Sequence, residues 1–175
     1  MNIFFLDENP EIAAQMQVNR HVVKMTLESA QLLCTAHRLY GTYQNPALYK
    51  IAHAHHPCSK WVCSSQENYE WLYNHFISLA DEYTYRYGKK HLSDVKLREV
   101  LKHIPSNIPK IGFTSPPQAM PEEYKDLNPV IAYRNYYIGA KSRFAIWTKR
   151  ERPEWFECSS VAVSNSIINT GGKMR

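Results

Sequence analysis

His21, Lys24 and Glu28 are the residues of this chain whose types and spacing best suit chemistry. With Gln17 before them and Gln31 after, they recur at intervals of four, three, four and three, which places all five on one face of a helix. The surrounding residues are largely apolar. A polar stripe on an otherwise apolar helix suggests a lined pocket or groove. A carboxylate desolvated there can act as a base or stabilise a cation. The same pattern fits an ordinary exposed ion pair between Lys24 and Glu28, four residues apart, with His21 as a solvated neighbour, and spacing alone does not separate the two.

Two other groups suggest chemistry. His53, His55, His56, Cys58 and Cys63 are all potential metal ligands, but their spacing fits no zinc pattern and no carboxylate is near. They read as a loop with polar tips in which one histidine can touch a phosphate, and no metal is expected. The basic residues Lys60, Arg86, Lys89, Lys90, Arg134, Lys141, Arg143, Lys149 and Arg150 stand beside Trp61, Tyr87, Tyr133, Trp147 and Trp155. Cations beside flat rings suit a phosphate backbone and unstacked bases. Helix C-termini also favour cations, which accounts for several of these residues but not for Arg134 and Lys141 in mid-helix.

The elements that must position these groups are helical. Asn9-Pro10 is a capping side chain followed by proline at the first helical position. No proline or glycine then intervenes before Gly41, so one long first helix is expected from residue 10 to residue 40, with Ile12, Met16, Val23, Leu27, Ala30 and Cys34 on its apolar side. Residues 41–63 read as a loop with at most one short turn. Ser64 and Glu67 form a capping box that opens a helix ending at Tyr87 before Gly88. A shorter helix follows Ser93 and stops near His103. Six prolines make residues 104–129 a long irregular connection. Asn128-Pro129 repeats the cap signal and opens a last helix with Tyr133, Tyr137, Phe144 and Trp147 on one face. The expectation is a mainly α, single compact domain of about four helices over 1–156, closed by a polar tail over 157–175.

Composition narrows the class. The 175 residues are 44% hydrophobic and 21% charged, a globular balance. No run is long enough for a membrane span, and the apolar stretch Ile3–Leu6 is too short for a signal peptide, so a cytosolic protein is expected. The cysteines are not paired as Cys-x-x-Cys, and reduced thiols are the default. A net charge of +5 suits a polyanionic partner without requiring one.

On these residues the chain resembles the phage pyrimidine-dimer DNA glycosylases with abasic-site lyase activity, the endonuclease V type. His21 and Glu28 match that family's histidine and glutamate seven residues apart on the first helix. His56-Pro57 leads into a helix ending Tyr85-Arg86-Tyr87-Gly88, and Arg152-Pro153-Glu154-Trp155-Phe156 is similar to the family's Arg-Pro-x-Trp-aromatic segment. The chain also resembles uncharacterised phage proteins that carry His-Val-Val-Lys-Met and Asn-Tyr-Glu-Trp-Leu. The resemblance implies an endonuclease V-like fold, no cofactor, a double-stranded DNA partner and the cytoplasm of a phage-infected cell. It implies an N-terminal α-amino group that attacks C1′ of the damaged nucleotide, with Glu28 as the carboxylate that supports the imine. Met1 or Asn2 would supply the amine. His21, Lys24, Gln31, His56, Lys60, Arg86, Lys89, Arg134, Lys141, Arg143, Lys149 and Trp155 would hold DNA. The chain departs from the family at residue 2, where a bulky Asn favours retention of Met1, and at Leu27, where the family places a basic residue before its glutamate. Two alternatives stand beside this reading: a nucleic-acid-binding protein without catalysis on the same scaffold, and a nucleotide-directed small-molecule enzyme using a Lys24/Glu28 pocket.

Overall fold

The computed structural model describes residues 1–156; the tail expected over 157–175 lies outside the described residues. Its elements are α1 (Pro10–Gln15), α2 (Asn19–Tyr40), α3 (Pro57–Ser64), α4 (Gln66–Tyr87), α5 (Leu92–Leu101) and α6 (Pro129–Lys141), with short 3-10 turns at Glu122–Tyr124 and Ser142–Phe144. The fold is mainly α, and the described residues contain no strand. α4 packs against both α1 and α2, and α3 and α5 pack on α2 and α4.

The expected long first helix is two helices. Asn9 Oδ1 accepts from the N–H groups of Glu11 and Ile12, as a capping asparagine should. The helix then stops at Gln15, although neither proline nor glycine interrupts it. The carbonyls orphaned by the break are taken up from elsewhere in the chain: Arg86 donates to Gln15 O at 3.0 Å and Trp147 Nε1 to Met16 O at 2.8 Å. Gln17, expected on the polar stripe, lies in the break instead, fully buried against His75 at 3.0 Å. The break also resets the helix phase. Val22, Met25, Leu32 and Leu33 face the core, while Val23 and Leu27, expected on the apolar side, are 41% and 40% exposed.

Two helices begin on histidine caps. His56 Nδ1 accepts from Cys58 N at 3.1 Å and starts α3, in a segment expected to be loop. His91 Nδ1 does the same for Ser93 N at 3.1 Å and starts α5. The cap of α4 is Ser65, one residue later than expected; its Oγ accepts from Glu67 N, while Ser64 closes α3. Gly88, at φ 68°, takes the left-handed conformation that ends α4. The last helix stops at Lys141 and gives way to the turn that carries Phe144.

The N-terminal segment Ile3–Leu6 is buried on all sides. Phe4 turns toward His21 and Tyr137, and Phe5 toward Trp71. Phe4 holds φ at 47°, a conformation that costs a non-glycine residue about 1–2 kcal/mol. Asn2 holds it there: its Oδ1 accepts from Ile3 N at 2.8 Å and from Phe4 N at 3.2 Å, and Leu6 N–H returns to Phe4 O at 2.8 Å. The proline-rich connection is laced down rather than loose. Thr114 exchanges bonds with Asn68, Ser65 Oγ donates to Gly112 O, and Asn2 Nδ2 donates to Ala119 O at 2.9 Å.

Candidate functional site

The start of the chain lies across the outer face of α2 at Glu28. The α-amino nitrogen of Met1 is 3.9 Å from Glu28 Oε2, and Asn2 N donates to the same oxygen at 3.2 Å. Lys24 Nζ is 3.2 Å from Oε1. The carboxylate therefore bridges the chain's own amine and a lysine, with Glu28 13% exposed. The Met1 side chain is only 3% exposed although the residue as a whole is half-buried, so its accessible surface lies on the amine end.

A cleft of about 200 Å³ opens at this point, lined by Met1, Asn2, Phe4, His21, Lys24, Glu28, Tyr136 and Lys141 among others. Its floor is aromatic. Phe4 stacks on His21 with centroids 4.2 Å apart and planes 16° from parallel, and His21 Nδ1 shares a 2.5 Å hydrogen bond with Tyr137 Oη. Burial, and then the charges of Lys141 and Lys24, hold the His21 imidazole down to about 3, so it is neutral near pH 7. On the far wall Lys141 donates to Tyr136 Oη at 3.1 Å and lies 4.3 Å from that ring's centroid. His56 stands close enough to feel the cleft. Burial, the N-terminal charge and His53 lower its affinity for a proton, and Glu28 opposes them. Cys58, behind it, is pushed up to about 12, mainly by burial. A lysine and an amine at one carboxylate, with a second lysine lining the same cleft over a neutral aromatic floor, can hold an anionic group and place a nucleophilic nitrogen beside it.

The sequence-predicted residues divide into three groups. Met1, Asn2, His21, Lys24, Glu28 and Lys141 meet in the cleft, and His56 adjoins it. Arg86 is an internal fastener, which corrects its expected place on a binding face, whereas Arg134 is half-buried and ties down the N-terminal segment. Arg86 is buried, bonds Glu82 at 2.6 Å and Asn19 at 2.9 Å, and shares Glu82 with Arg150. Arg134 donates to Leu6 O at 2.9 Å, pairs with Asp7 at 3.3 Å and lies over Trp155. The rest stand apart from the cleft. Gln31 is half-buried, Lys60 and Lys89 are exposed, Arg143 lies over Phe144, Lys149 donates to Tyr85 O at 2.9 Å, and Trp155 Nε1 donates to Met16 Sδ.

Sequence reasoning missed Phe4 and Tyr136. Tyr136 lies beside the core residue Tyr137, and its position one step round the helix was the available signal; for Phe4 no local pattern existed. Among the described residues no group of three or more His, Cys, Asp or Glu is arranged to hold a metal ion, and no helix is long and apolar enough to cross a membrane. No family model, no curated protein and no solved structure matches this chain.

Proposed function

We propose that this protein is a DNA N-glycosylase and abasic-site lyase of endonuclease V type, acting on pyrimidine-dimer or abasic duplex DNA in the cytoplasm of the infected cell. The observation that carries the reading is the Met1 amine 3.9 Å from Glu28 Oε2 at the edge of a lysine-lined cleft. The amine attacks C1′ and the bond from C1′ to the base breaks, the base leaving with the electron pair. The sugar ring opens as the C1′–O4′ bond breaks, with a proton arriving on O4′ and one leaving the nitrogen, to give the imine. Removal of a C2′ proton then expels the 3′ phosphate. Glu28 faces the nitrogen throughout and stabilises its positive charge, while Lys24 and Lys141 hold phosphate oxygens.

The test is borohydride trapping. Incubated with abasic duplex and then with ultraviolet-damaged duplex, the protein is expected to form a reduced covalent adduct that maps to its N-terminal peptide by mass spectrometry. No adduct with either DNA, or an adduct on an internal lysine, overturns the reading. The double pairing of Glu28 with Lys24 and the amine also suits a static ion pair, as in a nucleic-acid-binding protein without catalysis. That reading requires salt-dependent DNA binding with no product at any time.

A further inference from the structure

Phe4 and Phe5 point to opposite sides of the N-terminal segment, and each lines a cleft. The second cleft, about 470 Å³, is formed by Phe5, Glu8, Trp71, Phe113, Ser115, Pro116 and Pro129. Its volume is in the range of pockets that hold small organic ligands. Its back wall is a packed aromatic group. Phe5 lies 4.7 Å from Trp71 and 6.2 Å from Phe113, centroid to centroid, and Trp61 stands edge-on behind both Trp71 and Phe113. Phe5 and Trp71 are buried, while Phe113 is 49% exposed at the mouth. Trp71 Nε1 donates to Glu8 O at 2.7 Å, which ties the residue bearing the carboxylate to the indole edge. Among the described residues that carboxylate has no hydrogen bond or ion pair of its own, and neither has the Ser115 hydroxyl.

We infer that this cleft binds a free planar heterocycle with adjacent N–H donors, a guanine-type base or nucleoside. Phe113 at the mouth and the prolines offer stacking surface to a flat ring, with the buried rings of Phe5 and Trp71 packed behind them. This surface does not surround a ligand on several sides, as a cage for an organic cation does. An ionised carboxylate accepts only, so it selects a base edge that presents two donors side by side. The inference rests on residues outside the Glu28 cleft and does not depend on the lyase reading.

The test is titration of the whole protein with guanosine, inosine and thymidine, followed by the indole N–H resonance of Trp71 and by tryptophan fluorescence. Guanosine is expected to saturate the signal at least fivefold more tightly than inosine, which lacks the exocyclic amine, and more tightly still than thymidine. Glu8→Gln is expected to narrow that preference, and Phe113→Ala to weaken all three nucleosides. Both positions are exposed, so both variants should fold. Glu28→Gln should bind guanosine as the parent does, which separates failure here from failure of the lyase reading. No saturation by any nucleoside at millimolar concentration, equal binding of guanosine and thymidine, indifference to both Glu8→Gln and Phe113→Ala, or saturation by tetramethylammonium in preference to guanosine would each overturn the inference.

Discussion

Replacing Glu28 by glutamine removes one negative charge from beside the Met1 amine and from the largely exposed Lys24. The amide oxygen of glutamine can still accept from Asn2 N, which now bonds Glu28 Oε2 at 3.2 Å. What is lost is the attraction between the carboxylate and a cationic nitrogen 3.9 Å away. At that separation a unit pair is worth about 4 kcal/mol at the effective dielectric of a partly enclosed site and about 1 kcal/mol in bulk water. Glu28 is 13% exposed, which places it nearer the enclosed limit. At about 1.4 kcal/mol per tenfold, the imine-forming step should slow by roughly tenfold to a thousandfold. The assay is single-turnover cleavage of an abasic duplex with borohydride trapping in parallel, and circular dichroism with thermal melting as the control for fold. Parent-like cleavage by Glu28→Gln at unchanged stability refutes the catalytic argument. A collapse of the melting temperature together with activity would instead make Glu28 a structural tether of the N-terminal segment.

Three further outcomes follow from the same geometry. Arg86→Met leaves Glu82 buried with only Arg150 and frees the Gln15 carbonyl, so it should cost about 3–5 kcal/mol; in a chain of this size that lowers the melting temperature by roughly 10 °C, and a shift under about 3 °C would show that the α1–α2 joint does not depend on this fastener. Burial lowers His75 from 6.5 to about 4, and His21 falls to about 3, so both stay neutral in the fold while the unfolded chain takes up protons below about 6.5. Their contribution is complete above that pH and is lost as the pH falls, by up to about 1.4 kcal/mol per pH unit for each; urea melts between pH 7 and 4.5 test this, and a flat profile would contradict it. Lys141→Glu should weaken DNA binding and reduce the slope of log affinity against log salt by about one; an unchanged slope would remove Lys141 from the phosphate-contacting set.

The helices were readable wherever a local rule decided them. Asn9 and Asn128 cap with their side chains, Gly88 ends α4, and the stretch of prolines excludes regular structure. The departures have physical causes that no local rule contains. The α1–α2 break exists because Arg86 and Trp147, distant in sequence, supply donors to two orphaned carbonyls. α3 and α5 begin on histidines, which cap through Nδ1 but are not among the usual capping residues. Arg86 carries the charge expected of a DNA-facing residue, yet it meets its partners inside the fold, and half-buried Arg134 bonds Leu6 O and Asp7. For Lys24 and Glu28 the four-residue spacing allowed the pair, and the structure forms it at 3.2 Å; what spacing could not contain is the start of the chain lying over the same carboxylate.

Asn2 is where the chain departs most from the endonuclease V pattern, and its contacts give that departure a physical role. Its side chain is spent on the backbone: Oδ1 holds Ile3 N and Phe4 N, and Nδ2 holds Ala119 O. These bonds stabilise the left-handed turn at Phe4, and that turn lays the ring of Phe4 on His21 and the backbone of residues 1 and 2 on Glu28. An alanine or glycine at position 2 could not make them. The buried Met1 side chain adds a second anchor. Site geometry on this account is set by the anchored segment, with the proposed nucleophile carried on a methionine whose side chain is buried. Asn2→Ala should then leave the amine chemically intact but loosen its approach to Glu28. Adduct formation would fall while DNA affinity and its salt dependence stay as in the parent. A parallel loss of affinity would show instead that Asn2 shapes the DNA-binding surface as a whole.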